Sequence, residues 1–194
     1  GVSSVIVDIN SLVVTVGTGR TTVTNRAAIQ TVDAAALGAN TLTLDGAAQT
    51  TVTNLTGAGS NVTADTGAGA ALVQVDVADA AVHTLANNSA NTMTVMQTGT
   101  AATGANTVTL TGAGDFNVTT TGGAANGINV NNTGSGAVSV DLNGAGTVTA
   151  TGTGALTVDA SGLPGGAAVT MAAAGTQDAA IQLGNGNLAA GAYT

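Results

Sequence analysis

Residues 38–47 read GANTLTLDGA, and residues 104–113 read GANTVTLTGA, nearly the same ten letters 66 positions further on. The core of each copy is Thr–aliphatic–Thr, an alternation of polar and apolar β-branched residues with period two. That is the signature of a strand with one buried face. The motif recurs as Thr22-Val23-Thr24, Thr51-Val52-Thr53, Thr92-Met93-Thr94 and Thr147-Val148-Thr149. Similar strands are read at 4–9 (SVIVDI), 72–77 (LVQVDV), 137–142 (AVSVDL) and 155–160 (ALTVDA). Between them stand Gly-rich corners, TGAGS, TGAGD, TGGAANG, NTGSG, NGAG and TGTG. Gly and Asn supply the left-handed backbone that sharp turns need.

The repeat extends beyond its opening decamer. At an offset of 66, residues 36–47 and 102–113 agree at nine of twelve positions, and Val52-Thr53 matches Val118-Thr119. With a one-residue slip, 73–76 (VQVD) matches the Val-x-Val-Asp of 138–141. Internal repetition marks a stacked architecture in which each unit buries its apolar face on the next copy. Composition points the same way. Aromatics are 1% of the 194 residues, Phe116 and Tyr193 alone, so little is available to fill the broad gap of an ordinary sandwich. Small residues stacked about 4.8 Å apart pack well on their own kind, whereas stacked charges repel. The fold expected is an all-β solenoid, a parallel β-helix or β-roll, with tandem β-sandwiches as the alternative. Within it, 1–37 reads as an N-terminal β-hairpin (4–24) followed by a short helix over 26–37, with Asn25 as N-cap and Gly38 as the terminal glycine. Residues 38–194 read as the repetitive body.

The charge inventory removes several function classes. The chain has no Lys, Glu, Cys or Trp; its cations are Arg20 and Arg26, its one imidazole is His83, and its net charge is −8. Two arginines cannot neutralise a nucleic-acid backbone, so no nucleic-acid partner is expected. No apolar run approaches the 20 or so residues of a transmembrane helix. No signal peptide is visible and residue 1 is Gly, which reads as a processed chain or a fragment of a longer one.

Little in the sequence suggests catalysis. Ser89, His83 and Asp79 could form a triad, but only their proximity along the chain suggests it, and no G-x-S-x-G elbow surrounds any serine. A glycosidase dyad of aspartates would want aromatics to hold the sugar ring. The chain is therefore expected not to be an enzyme. Calcium is the one candidate ligand. GAGDFNV (112–118) and GSGAVSVD (134–141) echo the rhythm of the nonapeptide half-turn that binds Ca²⁺ in β-rolls, without matching it. Asp76, Asp115, Asp141 and Asp159 lie nearest the turns or strand ends and are the candidate metal ligands. The competing reading is that they are solvated aspartates that keep an apolar chain soluble and block edge pairing. No other cofactor is expected. The Thr-x-Thr motifs carry a further reading, a flat threonine face that orders water or binds ice.

In vocabulary, runs such as 40–70 (NTLTLDGAAQTTVTNLTGAGSNVTADTGAGA) and 144–162 (GAGTVTATGTGALTVDASG) resemble the bodies of Gram-negative surface-layer proteins and giant secreted RTX-like repeat adhesins. The resemblance implies export, an extracellular location at the cell surface, and self-association into a lattice or filament. It also implies Ca²⁺ as a candidate assembly ion. A cell-surface glycan or lipopolysaccharide is the partner it would offer an adhesin.

Overall fold

The computed structural model describes residues 1–8, 13–27, 30–76, 82–98, 106–121, 128–143, 146–162, 169–173 and 178–183. Among them, eighteen strands alternate between two sheets of nine. Sheet A takes β1 (Val2–Val7), β3 (Arg20–Asn25), β5 (Thr41–Asp45), β7 (Asn61–Ala64), β9 (Val82–Asn87), β11 (Asn106–Thr111), β13 (Ile128–Asn132), β15 (Gly146–Ala150) and β17 (Val169–Ala173). Sheet B takes β2 (Val13–Thr15), β4 (Gln30–Asp33), β6 (Thr50–Thr53), β8 (Ala71–Asp76), β10 (Met93–Thr98), β12 (Phe116–Thr121), β14 (Val138–Leu142), β16 (Leu156–Ala160) and β18 (Ala179–Leu183). Every strand pairs in parallel with the strand two places along the chain, so each coil adds one rung to each sheet: the fold is a β-solenoid.

The core is a set of ladders. The longest runs the length of sheet B in unbroken register: Val14, Val32, Val52, Val73, Val95, Val118, Val140, Val158 and Ile181. From Val32 to Val158 these side chains are essentially sealed from solvent. Val fits this site because two methyl groups on Cβ fill the space between rungs and prefer the extended backbone. The chain's one described aromatic ring, Phe116, is buried beside this ladder between Met93 and Val138.

The 66-residue echo now has a physical origin. Val52 reaches Val118 in three rungs of sheet B, through Val73 and Val95, so in that sheet the echo equals three coils. In sheet A three rungs carry Leu42 through Val62 and Leu85 to Leu110, two residues beyond Val108, its partner in the repeat. A slip of two leaves every side chain on its own face, so the core keeps its apolar lining.

Corners are also laddered. Asn25, Asn87 and Asn132 each end a sheet A strand, are buried, and accept a hydrogen bond from the amide two residues on: Ala27 (3.2 Å), Ser89 (3.1 Å) and Gly134 (3.0 Å). Asn87 Nδ2 also donates to the Asn91 carbonyl (2.9 Å) and to the Asp115 carbonyl of the next coil (2.8 Å). The TGAG, TGSG and TGTG corners stack as two glycine columns, Gly112–Gly134–Gly152 and Gly114–Gly136–Gly154. Amides of one coil meet carbonyls of the previous one there, Ser135 to Gly112 at 2.9 Å and Thr153 to Gly134 at 3.1 Å. A Cβ on Gly136 or Gly154 would collide with the carbonyl of the glycine below, so the column excludes any side chain.

Two sequence expectations fail at the N-terminal end. The segment 4–24 is not a hairpin: β1 and β3 are parallel neighbours, with β2 between them in the opposite sheet. The short helix over 26–37 is absent among the described residues, where Gln30–Asp33 form β4 instead. Both end signals are nonetheless real. Asn25 does accept an amide two residues on, and Gly38 is left-handed (φ 58°). Between them Gln30 and Val32 point inward onto Thr50 and Val52. The ladder to β6 satisfies the backbone that a helix would otherwise have to pair with itself, and that overrides the helix preference of alanine. The ladders β3–β5 and β4–β6 run without a break past residue 37.

Candidate functional site

His83 lies in the interior of sheet A, fully shielded, in register with Val108. Neither ring nitrogen has a hydrogen-bond partner. Burial alone pushes its pKa below the ordinary 6.5, because a charged imidazole would lose its water without gaining a counter-ion. Ser89 is also buried, but its hydroxyl donates to the Ala68 carbonyl (2.5 Å) and accepts from the Asn91 amide (3.0 Å). The two are not joined, and Asp79 lies outside the described residues.

The four candidate calcium ligands separate. Asp141 and Asp159 occupy adjacent rungs on the outer face of sheet B, in direct register, flanked by Thr119 below and Gln182 above. The Ser161 hydroxyl and amide hold the Asp159 carboxyl below the ordinary 3.8. Asp115 is in a corner, where its carboxylate accepts the Ala137 amide of the next coil (2.8 Å). Asp76 ends β8, in register with Thr98. Ca²⁺ takes six to eight oxygens. Among the described residues no group of three or more acidic, His or Cys side chains converges to offer a metal such a set.

The feature that most distinguishes one surface from another is the outer face of sheet A. One outward row reads Thr41, Asn61, Thr84, Thr109, Asn131 and Thr149, all in register. A second, two residues along each strand, reads Ser4, Thr22, Thr43, Thr63, Ala86 and Thr111. Rungs lie about 4.8 Å apart and rows about 6.7 Å apart, so hydroxyls and amides form a regular two-dimensional lattice. At its β1 end is a shallow hollow of about 310 Å³ lined by Val2, Arg20, Thr22, Thr41 and Thr43. Within the described strands, charge on this face is confined to Arg20 and Asp45, and Asp65 is exposed immediately after β7. From β7 to β15 its described outward strand residues are all uncharged. Val82, on the central strand β9, is 54% exposed there.

The outer face of sheet B differs. It carries Asp33, Asp141 and Asp159 among Thr31, Thr51, Leu72, Met96 and Asn117. Asp33 accepts from Asn54 Nδ2 (3.0 Å) and the Ala35 amide (3.1 Å), and the two hold its carboxyl below 3.8. The Thr-x-Thr motifs announced part of the sheet A lattice. Asn61 and Asn131, which continue it, were not legible as rungs because single asparagines in a Gly-rich chain read as turn residues.

Among the described residues no helix is long and apolar enough to cross a membrane. No protein-family model, curated protein or solved structure matches this chain.

Proposed function

We propose that the chain is a structural, non-enzymatic module of an extracellular self-assembling protein, of the surface-layer or matrix kind. The observation that carries this reading is the pair of nine-stranded, in-register parallel sheets held by unbroken ladders of small residues. Such a stack is a stiff rod roughly 40 Å long whose strand edges and flat faces can meet other copies. Electron microscopy of the purified chain, with and without millimolar Ca²⁺, tests it. Ordered sheets or fibres are expected. Strictly monomeric protein at high concentration in both conditions would remove the reading. Calcium enters as the candidate ion that would join already paired copies through Asp141 and Asp159, the two acids on adjacent rungs of sheet B.

A second reading is favoured by the threonine–asparagine lattice on sheet A: a module that presents this face to ice or to a cell-surface glycan. Thermal hysteresis, or glycan binding by a monomer, would establish it in place of the first.

A further inference from the structure

We infer that the outer face of sheet A is where two copies of this chain meet, face to face, leaving their sheet B faces in solvent. This rests on the self-assembly reading and specifies the surface that performs it.

Three observations point to this face and to this occupant. The first is the partition of charge. The chain carries −8, and pairing is opposed wherever acids face acids. On sheet B two copies alone would bring Asp33, Asp141 and Asp159 into one interface, desolvating carboxylates that no cationic side chain of the chain's sheet B strands can receive. On sheet A the outward strand residues from β7 to β15 are neutral, so they meet a second copy without that cost. The second observation is geometric. The lattice is made of short side chains repeated in register on parallel strands, the arrangement in which two sheets interdigitate at about 10 Å separation. The interior of this same molecule, where sheets A and B pack through ladders, uses that packing already. The whole face, nine strands of about five residues, is roughly 40 by 17 Å, hence at most roughly 1,400 Å² buried over both copies, within the range of a standard stable interface.

The third observation is Val82. It is 54% exposed as the first residue of β9, the fifth of nine strands, so it lies midway along the stack at the leading margin of its strand. An apolar side chain midway along the stack is where a two-fold contact with its axis across the strands would place its anchor, close to its own copy. Thr84 and Thr109 lie beside it in the same lattice.

A matched pair of substitutions tests this in the full chain. Val82→Asp puts a carboxylate midway along the sheet A stack. Met96→Asp puts one on β10, the central strand of sheet B, at a side chain 37% exposed. Both positions are outward, and far-UV circular dichroism confirms that each variant keeps the parent's β signal. Val82→Ser is a third variant that removes the anchor without adding charge. Sedimentation velocity over a concentration series reads the association. The parent is expected to dimerise or assemble further, Met96→Asp to follow it, Val82→Asp to weaken association at least tenfold, and Val82→Ser to fall between. If the parent associates and Val82→Asp associates equally well, or Met96→Asp is the variant that dissociates, the face is wrong and the self-assembly reading survives. If the parent is monomeric throughout, both fall, and thermal hysteresis by that monomer would assign the lattice to ice instead.

Discussion

Truncating one rung of the valine ladder measures how far the stack depends on register. Val95 is fully buried on β10, with Val73 on one side and Val118 on the other. Val95→Ala removes two methyl groups, worth about 1.6 kcal/mol at about 0.8 kcal/mol each. The walls cannot close on the gap, because backbone hydrogen bonds hold adjacent strands about 4.8 Å apart. A cavity contribution therefore adds to the transfer loss, for a total of about 2–3 kcal/mol. Val14 provides the contrast. It is 7% exposed and has a ladder neighbour, Val32, on one side only, so Val14→Ala is expected to cost about 1 kcal/mol. Val95→Thr keeps the shape but buries a hydroxyl, and is expected to cost about as much as the alanine. Without tryptophan in the chain, far-UV circular dichroism in urea is the appropriate probe. The midpoint for Val95→Ala should fall by about 1 M for a chain of this size. Equal losses at Val14 and Val95, or a loss below about 0.5 kcal/mol at Val95, would refute the claim that the ladder is a rigid, register-locked core.

Three further outcomes follow from other sites. Gly136→Ala drives a Cβ into the Gly114 carbonyl and should cost more than about 2 kcal/mol, whereas Gly17→Ala, with open space around its Cβ, should be neutral or slightly stabilising; urea titration compares them. Asn87→Ala leaves two carbonyls and one amide without their partner and should cost about 2–3 kcal/mol, more than Asn132→Ala, whose Nδ2 has no partner to lose. His83 sets an acid limit. Well above pH 6.5 neither folded nor unfolded chain holds the proton, and its effect vanishes. Below 6.5 the unfolded chain takes up the proton first, so stability declines as pH falls toward the lowered folded value. The carboxyls of Asp33 and Asp159 contribute stability that is present above 3.8 and lost only as pH falls through their lowered folded values. Thermal melts between pH 7 and 4.5 should therefore show a slope that His83→Leu removes; an unchanged slope in that variant would assign it elsewhere.

The period-two alternation of Thr, Val and Leu was enough to read most strands and which residues face inward, because alternation is a direct image of burial. The scarcity of aromatics was enough to prefer stacking over a sandwich. What escaped was whatever depends on a partner distant in sequence. Asn25 and Gly38 send the same local signals whether a helix or a strand lies between them, and only the ladder to Thr50 and Val52 decides. The two-residue slip in sheet A is equally silent, since Leu42 can stand over Val108 or Leu110 and bury the same face. Of the four aspartates singled out, Asp141 and Asp159 become neighbours because a coil there spans 18 residues, a number that the irregular corners hide.

That span is not constant. In-register partners lie 18 residues apart from Ile128 to Gly146 and 25 apart from Val82 to Thr107, yet the strands on either side keep their rungs. The bends absorb the difference, so they are the positions at which foreign peptide can be grafted without disturbing the shaft. The same short reach means that a chain folding from one end needs only about one turn's worth of free length before the newest rung can dock on its predecessor. Lengthening such a shaft is a matter of appending turns, and its growth requires no rearrangement of what has already been laid down.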